Sequence, residues 1–353
     1  MRKRLFSILL ALCMVLCLVP TTAFAEGETK ETPVCTCETA CATEAMNAEC
    51  PVCGTDGALA ENCGKYAAEE SGQTGTSNGE PGAAFTLQAS ASHSHCICGG
   101  SGTAGDHTSH SDVTYQPWSG TSGITYTNNT AYVYLTDNAT INSNLVVDGT
   151  TLYLCLNGKT YSSNGTNKIK VKNGGRLVLC DCQGGGTIKG ATSGWGGMCI
   201  YLYTSRLDMF GGKLTGGKVT GNGGGGAITL DDKNCVFNMY GGEISGNNGR
   251  NYGGAIFQNF AINKPNATGG NFNMYGGVIK NNTAKNGGAF FSTTGGTINM
   301  TGGTISGNTA TMNSNNAGGG AIYMRGNGKI NISGSAQITG NSSSLDGGAI
   351  LMG

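Results

Sequence analysis

Phe237-Asn238-Met239-Tyr240-Gly241-Gly242-Glu243-Ile244-Ser245-Gly246-Asn247, followed after a short loop by Gly253-Gly254-Ala255-Ile256, is one unit of a repeat that fills the last third of the chain. Its closing letters return at Gly225-Gly226-Ala227-Ile228, Gly287-Gly288-Ala289-Phe290, Gly319-Gly320-Ala321-Ile322 and Gly347-Gly348-Ala349-Ile350. Measured between the second glycines, the copies lie 28, 34, 32 and 28 residues apart. A period this long and this uneven means one supersecondary unit per repeat, with loops of different length hung on a constant frame.

The opening letters return as well, in Leu207-Asp208-Met209-Phe210-Gly211-Gly212, Phe272-Asn273-Met274-Tyr275-Gly276-Gly277, Ile298-Asn299-Met300-Thr301-Gly302-Gly303 and Ile330-Asn331-Ile332-Ser333-Gly334-Ser335. Apolar and polar residues alternate, as in a half-buried strand, and glycines end each run. A second short strand and a turn are read at Lys218-Val219-Thr220-Gly221-Asn222, Glu243-Ile244-Ser245-Gly246-Asn247, Thr304-Ile305-Ser306-Gly307-Asn308 and Gln337-Ile338-Thr339-Gly340-Asn341. With the Gly-Gly-Ala-Ile strand this makes three strands per repeat. Sixty-two glycines in 353 residues, among many Asn and Thr, oppose helix. The expectation is all-β: coils stacked about 4.8 Å apart as a parallel β-helix.

Stacking in register predicts inward columns Leu207, Phe237, Phe272, Ile298, Ile330 and Met209, Met239, Met274, Met300, Ile332. Ile244, Ile305 and Ile338 line a second wall, and Ile228, Ile256, Phe290, Ile322 and Ile350 a third. Asn222, Asn247, Asn308 and Asn341 are expected to stack as side-chain amides along one turn. One coil cannot repay the conformational entropy of its own residues, so stability must come from the interfaces between coils.

Degenerate coils extend upstream through Arg176–Cys182 and Thr151–Lys159 to Tyr132–Leu135, which sets the solenoid at 118–353. The chain stops inside a coil at Met352-Gly353, which is read as the front part of a longer protein. At the other end, Arg2, Lys3 and Arg4 precede an apolar run and Ala23-Phe24-Ala25, the pattern of a cleaved export signal over 1–25. The run falls short of the ~20 residues of a membrane span. No other segment is apolar enough to cross a bilayer, so the mature chain is expected to be secreted or displayed at a cell surface.

Residues 26–66 hold Cys35, Cys37, Cys41, Cys50, Cys53 and Cys63, an even set in a segment with too few apolar residues for a core. Either three disulfides or tetrahedral zinc would staple it. A Gly/Ser-rich linker occupies 67–92, and 93–117 carries His93, His95, Cys96, Cys98, His107 and His110. All four histidines of the protein lie there, so the segment is a candidate for structural zinc or, alternatively, a disulfide beside solvated histidines. Cys155 and Cys180 occupy matching outward positions in successive coils, where a thiol stack or a disulfide can be drawn; Cys199 and Cys235 read as small core or turn residues.

The carboxylates Asp208, Asp231, Asp232, Glu243 and Asp346 fall on different strands and turns, and no histidine lies in the solenoid, so no catalytic set can be assembled. Net charge is zero, with 21 basic and 21 acidic residues, which argues against a nucleic-acid partner. Phe210, Tyr240 and Tyr275 are expected to project outward from one strand in consecutive coils, where they stack on sugar rings or on one another. Loops at 264–270 and 311–317 are further candidates for ligand contact.

The Gly-Gly-Ala-Ile repeats, with Asn-Met-Tyr-Gly-Gly-Glu-Ile-Ser-Gly-Asn before them, resemble the right-handed parallel β-helix repeat proteins of the pectate-lyase-like superfamily, above all adhesin-like surface proteins of Gram-positive gut bacteria. Leu154-Cys155-Leu156-Asn157-Gly158-Lys159, Leu179-Cys180-Asp181-Cys182 and the six-cysteine block carry the same likeness. Gly-Gly-Ala-Ile is also similar to the repeat of chlamydial polymorphic outer membrane proteins, whose companion Phe-x-x-Asn motif is not reproduced. The resemblance implies an exported structural or adhesin-like rod that meets glycans or other cell-surface components. The alternative is a polysaccharide lyase or glycoside hydrolase whose catalytic coils lie past residue 353.

Overall fold

The structure is a computed structural model that describes residues 93–97, 112–259, 270–293, 295–312 and 318–353. The chain divides into two compact units, Met1–Leu87 and Gln88–Gly353, and the described residues all belong to the second. The export signal, the six-cysteine block, the linker, Cys98, His107 and His110 lie outside the described residues.

The described residues contain strands, turns and no helix. They wind as a parallel β-helix with four walls rather than three. The long wall has ten strands: β1 (His93–His95), β2 (Val113–Trp118), β3 (Thr130–Leu135) and one strand from each later coil up to Lys329–Ile332. β1 runs antiparallel to β2 at the edge, and every other pairing in that wall is parallel. The second wall has eight strands, from Ala139–Ile141 to Gln337–Thr339, and the fourth has eight, from Leu145–Asp148 to Ile350–Met352. Between them runs a third wall of six short strands, Thr192–Ser193 to Ser342–Ser343, which occupies the stretch expected to be a variable loop.

The register is the one the repeats predict. Leu207, Phe237, Phe272, Ile298 and Ile330 pair in sequence, and so do Met209, Met239, Met274, Met300 and Ile332. Each is fully buried up to Ile298 and Met300, and in the last described coil Ile332 is 46% exposed. Phe237 and Phe272 stack inside the cylinder at 5.0 Å. Lys218-Val219 does not join the second wall. That place belongs to Lys213–Thr215, paired with Glu243–Ser245, while Lys218-Val219 is a third-wall strand beside Asn248.

The Gly-Gly-Ala-Ile motif follows from close packing. Its first glycine is left-handed in each repeat copy, with φ of 74° at Gly225, 54° at Gly253, 63° at Gly287, 68° at Gly319 and 59° at Gly347. In the first four copies the second has no room for a side chain, because a Cβ at Gly226, Gly254, Gly288 or Gly320 would run into the carbonyl oxygen of the matching glycine in the next coil. Ala227, Ala255, Ala289 and Ala321 are buried next to them, where only a small residue fits, and the apolar residue that follows enters the core.

The amide ladder exists with one changed member: Asn247, Asn282, Asn308 and Asn341. Each Nδ2 donates to the next Oδ1 at 2.9–3.0 Å, and each backbone N–H donates to the same oxygen. The side chains also donate to carbonyls of their own coil and the one before, as Asn282 does to Lys280 and Ile244. Asn222 is not part of it. Gly217 takes that place, its N–H donating to Asn247 Oδ1 at 3.0 Å.

Candidate functional site

The outward face of the long wall carries two columns, and their character changes along the rod. In one, Tyr132, Tyr153, Val178, Asp208, Asn238, Asn273, Asn299 and Asn331 follow each other in register. In the other, Tyr134, Cys155 and Cys180 are in register, and Phe210, Tyr240 and Tyr275 continue the series one residue past the methionine column.

The first column ends its amides on an ion. Asn331 donates to Asn299, Asn299 to Asn273 and Asn273 to Asn238, each at 2.8 Å, and Asn238 donates to Asp208 Oδ1 at 2.7 Å. A carboxylate can only accept, so it suits the receiving end of such a chain. Asp208 is completely buried, and its charge is met by Arg176 Nε at 2.6 Å and Arg206 Nε at 2.8 Å. The aspartate that stands out among asparagines is thus a structural terminus.

In the second column, Phe210 and Tyr240 are buried and stack at 4.5 Å, and Tyr240 stacks on Tyr275 at 4.9 Å with an interplanar angle of 7°. Self-stacking accounts for this stripe, and Tyr275 alone of the three keeps an exposed face. An aromatic column that sequence reasoning missed lies outside the fourth wall, where Phe257, Phe291 and Tyr323 are each buried next to the core isoleucine or phenylalanine of their coil.

Where the second column turns to cysteine, β1 closes over it. The two-residue strand period sets His93 and His95 on one face. That face meets Cys155, at the end of strand Thr151–Cys155, and Cys182, just beyond strand Arg176–Cys180. One donor atom from each of the four lies within 4.8 Å of the other three. Cys155 Sγ is 3.4 Å from Cys182 Sγ, and Cys182 Sγ is 3.4 Å from His93 Nε2. His93 stacks on Tyr134 at 4.0 Å and His95 on Tyr115 at 4.3 Å, which fixes both rings. The turn bearing Cys182 is held by its neighbour Asp181, whose carboxylate accepts from the N–H of Gly158 at 2.7 Å and of Gly186 at 2.6 Å.

Hydrogen bonding from Cys180, and then the nearby His95, pulls the Cys155 thiol far below its ordinary range, against the opposing effect of burial. Cys180 is pushed up by Cys155 and by burial, and Cys182 is pushed up to about 12 by burial and by Cys155. Burial tends to lower His95, yet Cys155 and the Cys96 carbonyl hold it above its ordinary value. Cys155 and Cys180, opposite each other, are both free thiols, as are Cys199 and Cys235, buried in the core. Of the zinc candidates, His93 and His95 therefore meet two cysteines from the solenoid. Cys96 supplies its carbonyl to His95 Nδ1 at 2.6 Å, while its side chain packs in the apolar cluster of Tyr115 and Val178.

A second feature lies outside the fourth wall. Lys170, Tyr201, Thr229 and Phe257 follow in register on its outer face, and Trp195, 71% exposed, stands beside them to form an open groove of about 550 Å³. A Cβ at Gly223 would lie 3.1 Å from the Gly196 nitrogen and 3.2 Å from the Trp195 ring, a tight fit that favours glycine there. In the groove, Asp231 accepts a short hydrogen bond from the Tyr201 hydroxyl and another from Asn259 Nδ2 at 2.6 Å. Burial and then Lys170 push Lys168 down to about 8, and its Nζ donates to the Gly196 carbonyl at 2.9 Å. The loops expected at 264–270 and 311–317 fall almost wholly outside the described residues.

Compared with family models, curated proteins and solved structures, the chain matches none.

Proposed function

We propose that the chain is an exported β-helical rod that presents a carbohydrate-binding groove at the cell surface or in the surrounding medium. The observation that carries this reading is Trp195. A large apolar ring stands in solvent at the lip of a groove whose polar groups, Tyr201, Asp231 and Asn259, are already held in place by one another. Sugars pair an apolar C–H face with a rim of hydroxyls, so an indole beside fixed oxygen and amide groups suits them. Export is supported by the basic, apolar and Ala23-Phe24-Ala25 pattern of the first 25 residues, and an adhesin-like role by the resemblance of the repeats.

The lyase or hydrolase alternative places its catalytic coils past residue 353, and the described coils give it no part of a catalytic set. Of the carboxylates described, Asp208 is engaged by two arginines and Glu243 by two lysines, and Asp231 is held by Tyr201 and Asn259. Native affinity electrophoresis in gels containing soluble pectin, β-glucan or mucin tests the proposal. Retardation in at least one gel is expected for the full chain, with a loss of tenfold or more in apparent affinity for Trp195→Ala and little change for Tyr275→Ala. Equal mobility with and without every polysaccharide would overturn the glycan reading, and loss in Tyr275→Ala alone would move the site to the stripe.

A further inference from the structure

We propose that His93, His95, Cys155 and Cys182 bind one zinc-class divalent ion, which pins β1 to the outer face of the solenoid. Two imidazoles and two thiols form a tetrahedral Cys2His2 donor set. With metal–sulfur distances near 2.3 Å and metal–nitrogen distances near 2.0 Å, the donors of such a site lie about 3.3–3.8 Å from one another. The separations of 3.4 Å for Cys155–Cys182 and for His93–Cys182 already match that spacing, and all four donors fall within 4.8 Å. Closing the site needs small side-chain rotations and no rearrangement of strands.

The surroundings are those of a ligand set. His95 Nδ1 donates to the Cys96 carbonyl, the second bond that a metal-bound imidazole commonly makes. That leaves Nε2 buried and turned towards the Cys155 thiol, without a well-formed hydrogen bond to any group. A ring nitrogen so placed loses its water and gains nothing, unless an ion or a proton shared with Cys155 restores the balance. Tyr134 and Tyr115 wall off the two imidazoles. Four protein donors leave no open position for water or substrate, which makes the site structural. Soft sulfur with imidazole favours zinc over calcium or magnesium, which seek oxygen. On binding, the two cysteines coordinate as thiolates and release their protons to solvent. The principal rival is a Cys155–Cys182 disulfide, which would need an external oxidant.

Purification of the full chain with zinc present, followed by metal analysis and titration of free thiols with and without a chelator, decides the matter. Because the six-cysteine block can hold metal of its own, the readout is a difference. Cys155→Ser/Cys182→Ser is expected to carry one equivalent of zinc fewer than the unaltered chain, and His95→Gln, which leaves both thiols in place, is expected to lose the same equivalent. Cobalt loaded in place of zinc should give the intense visible absorption of a tetrahedral thiolate site, absent from both variants. Circular dichroism reports whether each variant keeps its β-helix; should the cysteine variant unfold, His95→Gln alone carries the comparison. Unchanged metal content in a folded variant would overturn the proposal. So would a Cys155–Cys182 linked peptide as the dominant species in freshly isolated protein.

Discussion

Two halves of one outward face, on the long wall, differ in a way that separates architecture from chemistry. From Asn238 onward the face repeats itself, asparagine over asparagine, and each amide is consumed by its neighbour. From Tyr132 to Cys182 no letter lasts more than two coils, and there the histidines of β1 meet the thiols. In a solenoid, a letter that recurs in register answers a demand made by every coil, which is packing. A letter that lasts only one coil or two answers a local demand, and there a ligand or an ion pair belongs.

The largest effect that can break this comparison lies in the repeating half. Phe237→Ala removes a ring stacked on Phe272 in the closed core, and a loss of about 3–5 kcal/mol in folding free energy is expected, read by chemical denaturation. A loss under 1 kcal/mol would mean that the repeat letters are not held there by packing. Asp208→Asn probes the border between the halves, since it writes the repeating letter one coil further along the column. The amide ladder can continue through the new side chain, but Arg176 and Arg206 lose their counter-ion. Both guanidiniums are about a third exposed, so water makes up part of the loss, and a decrease of about 1–2 kcal/mol is expected. A stabilised variant would show that the exception serves something other than folding.

Glu243 offers the wetter counterpart of Asp208 and the smallest effect. It pairs with Lys213 at 2.9 Å and Lys280 at 2.8 Å, from the coils before and after. Burial works against the ionised form, yet Lys280, Ser245 and Lys213 hold the carboxyl down to about 2. A depressed folded-state value contributes stability above the unfolded carboxyl's range, which is lost as pH falls from about 5 towards 2. With solvent screening the contribution is at most about 1 kcal/mol, and Glu243→Gln should flatten the acid limb of the denaturation midpoint by that amount. An unchanged acid limb would count against the pairing.

Much of the frame is legible in the letters because the strand pairing is an alignment of the chain with itself. The phenylalanine and methionine columns can be written down from the repeats alone. The errors arise where a repeat letter is replaced by a residue of the same conformation. Lys280-Asn281-Asn282 hides the ladder member Asn282 because Asn281, at φ 54°, stands where Gly246 and Gly307 stand, at φ 64° and 62°. Val219-Thr220-Gly221-Asn222 imitates the turn five residues late; counting from the glycine pairs, Gly211-Gly212 against Gly241-Gly242, would have placed Leu214 opposite Ile244. Of the metal set, the histidines are visible as a local cluster. Cys155 and Cys182 are not, because only the folding of β1 onto β2 carries the histidines to them, across 60 residues or more of sequence.

The buried carboxylate at Asp208 also bears on how such a chain winds correctly. Near-identical turns can be miscounted: Phe272 would sit on Leu207 almost as well as Phe237 does, and Met274 on Met209, so skipping a turn carries little penalty from the apolar interior. Among the described residues, a fully buried anion held by two cations from successive turns occurs at one level of the stack, that of Asp208. A skipped or doubled turn in this part of the cylinder would separate that charge from one of its partners. It serves as the single odd tooth on a regular gear, giving an otherwise interchangeable series an origin from which the turns are numbered.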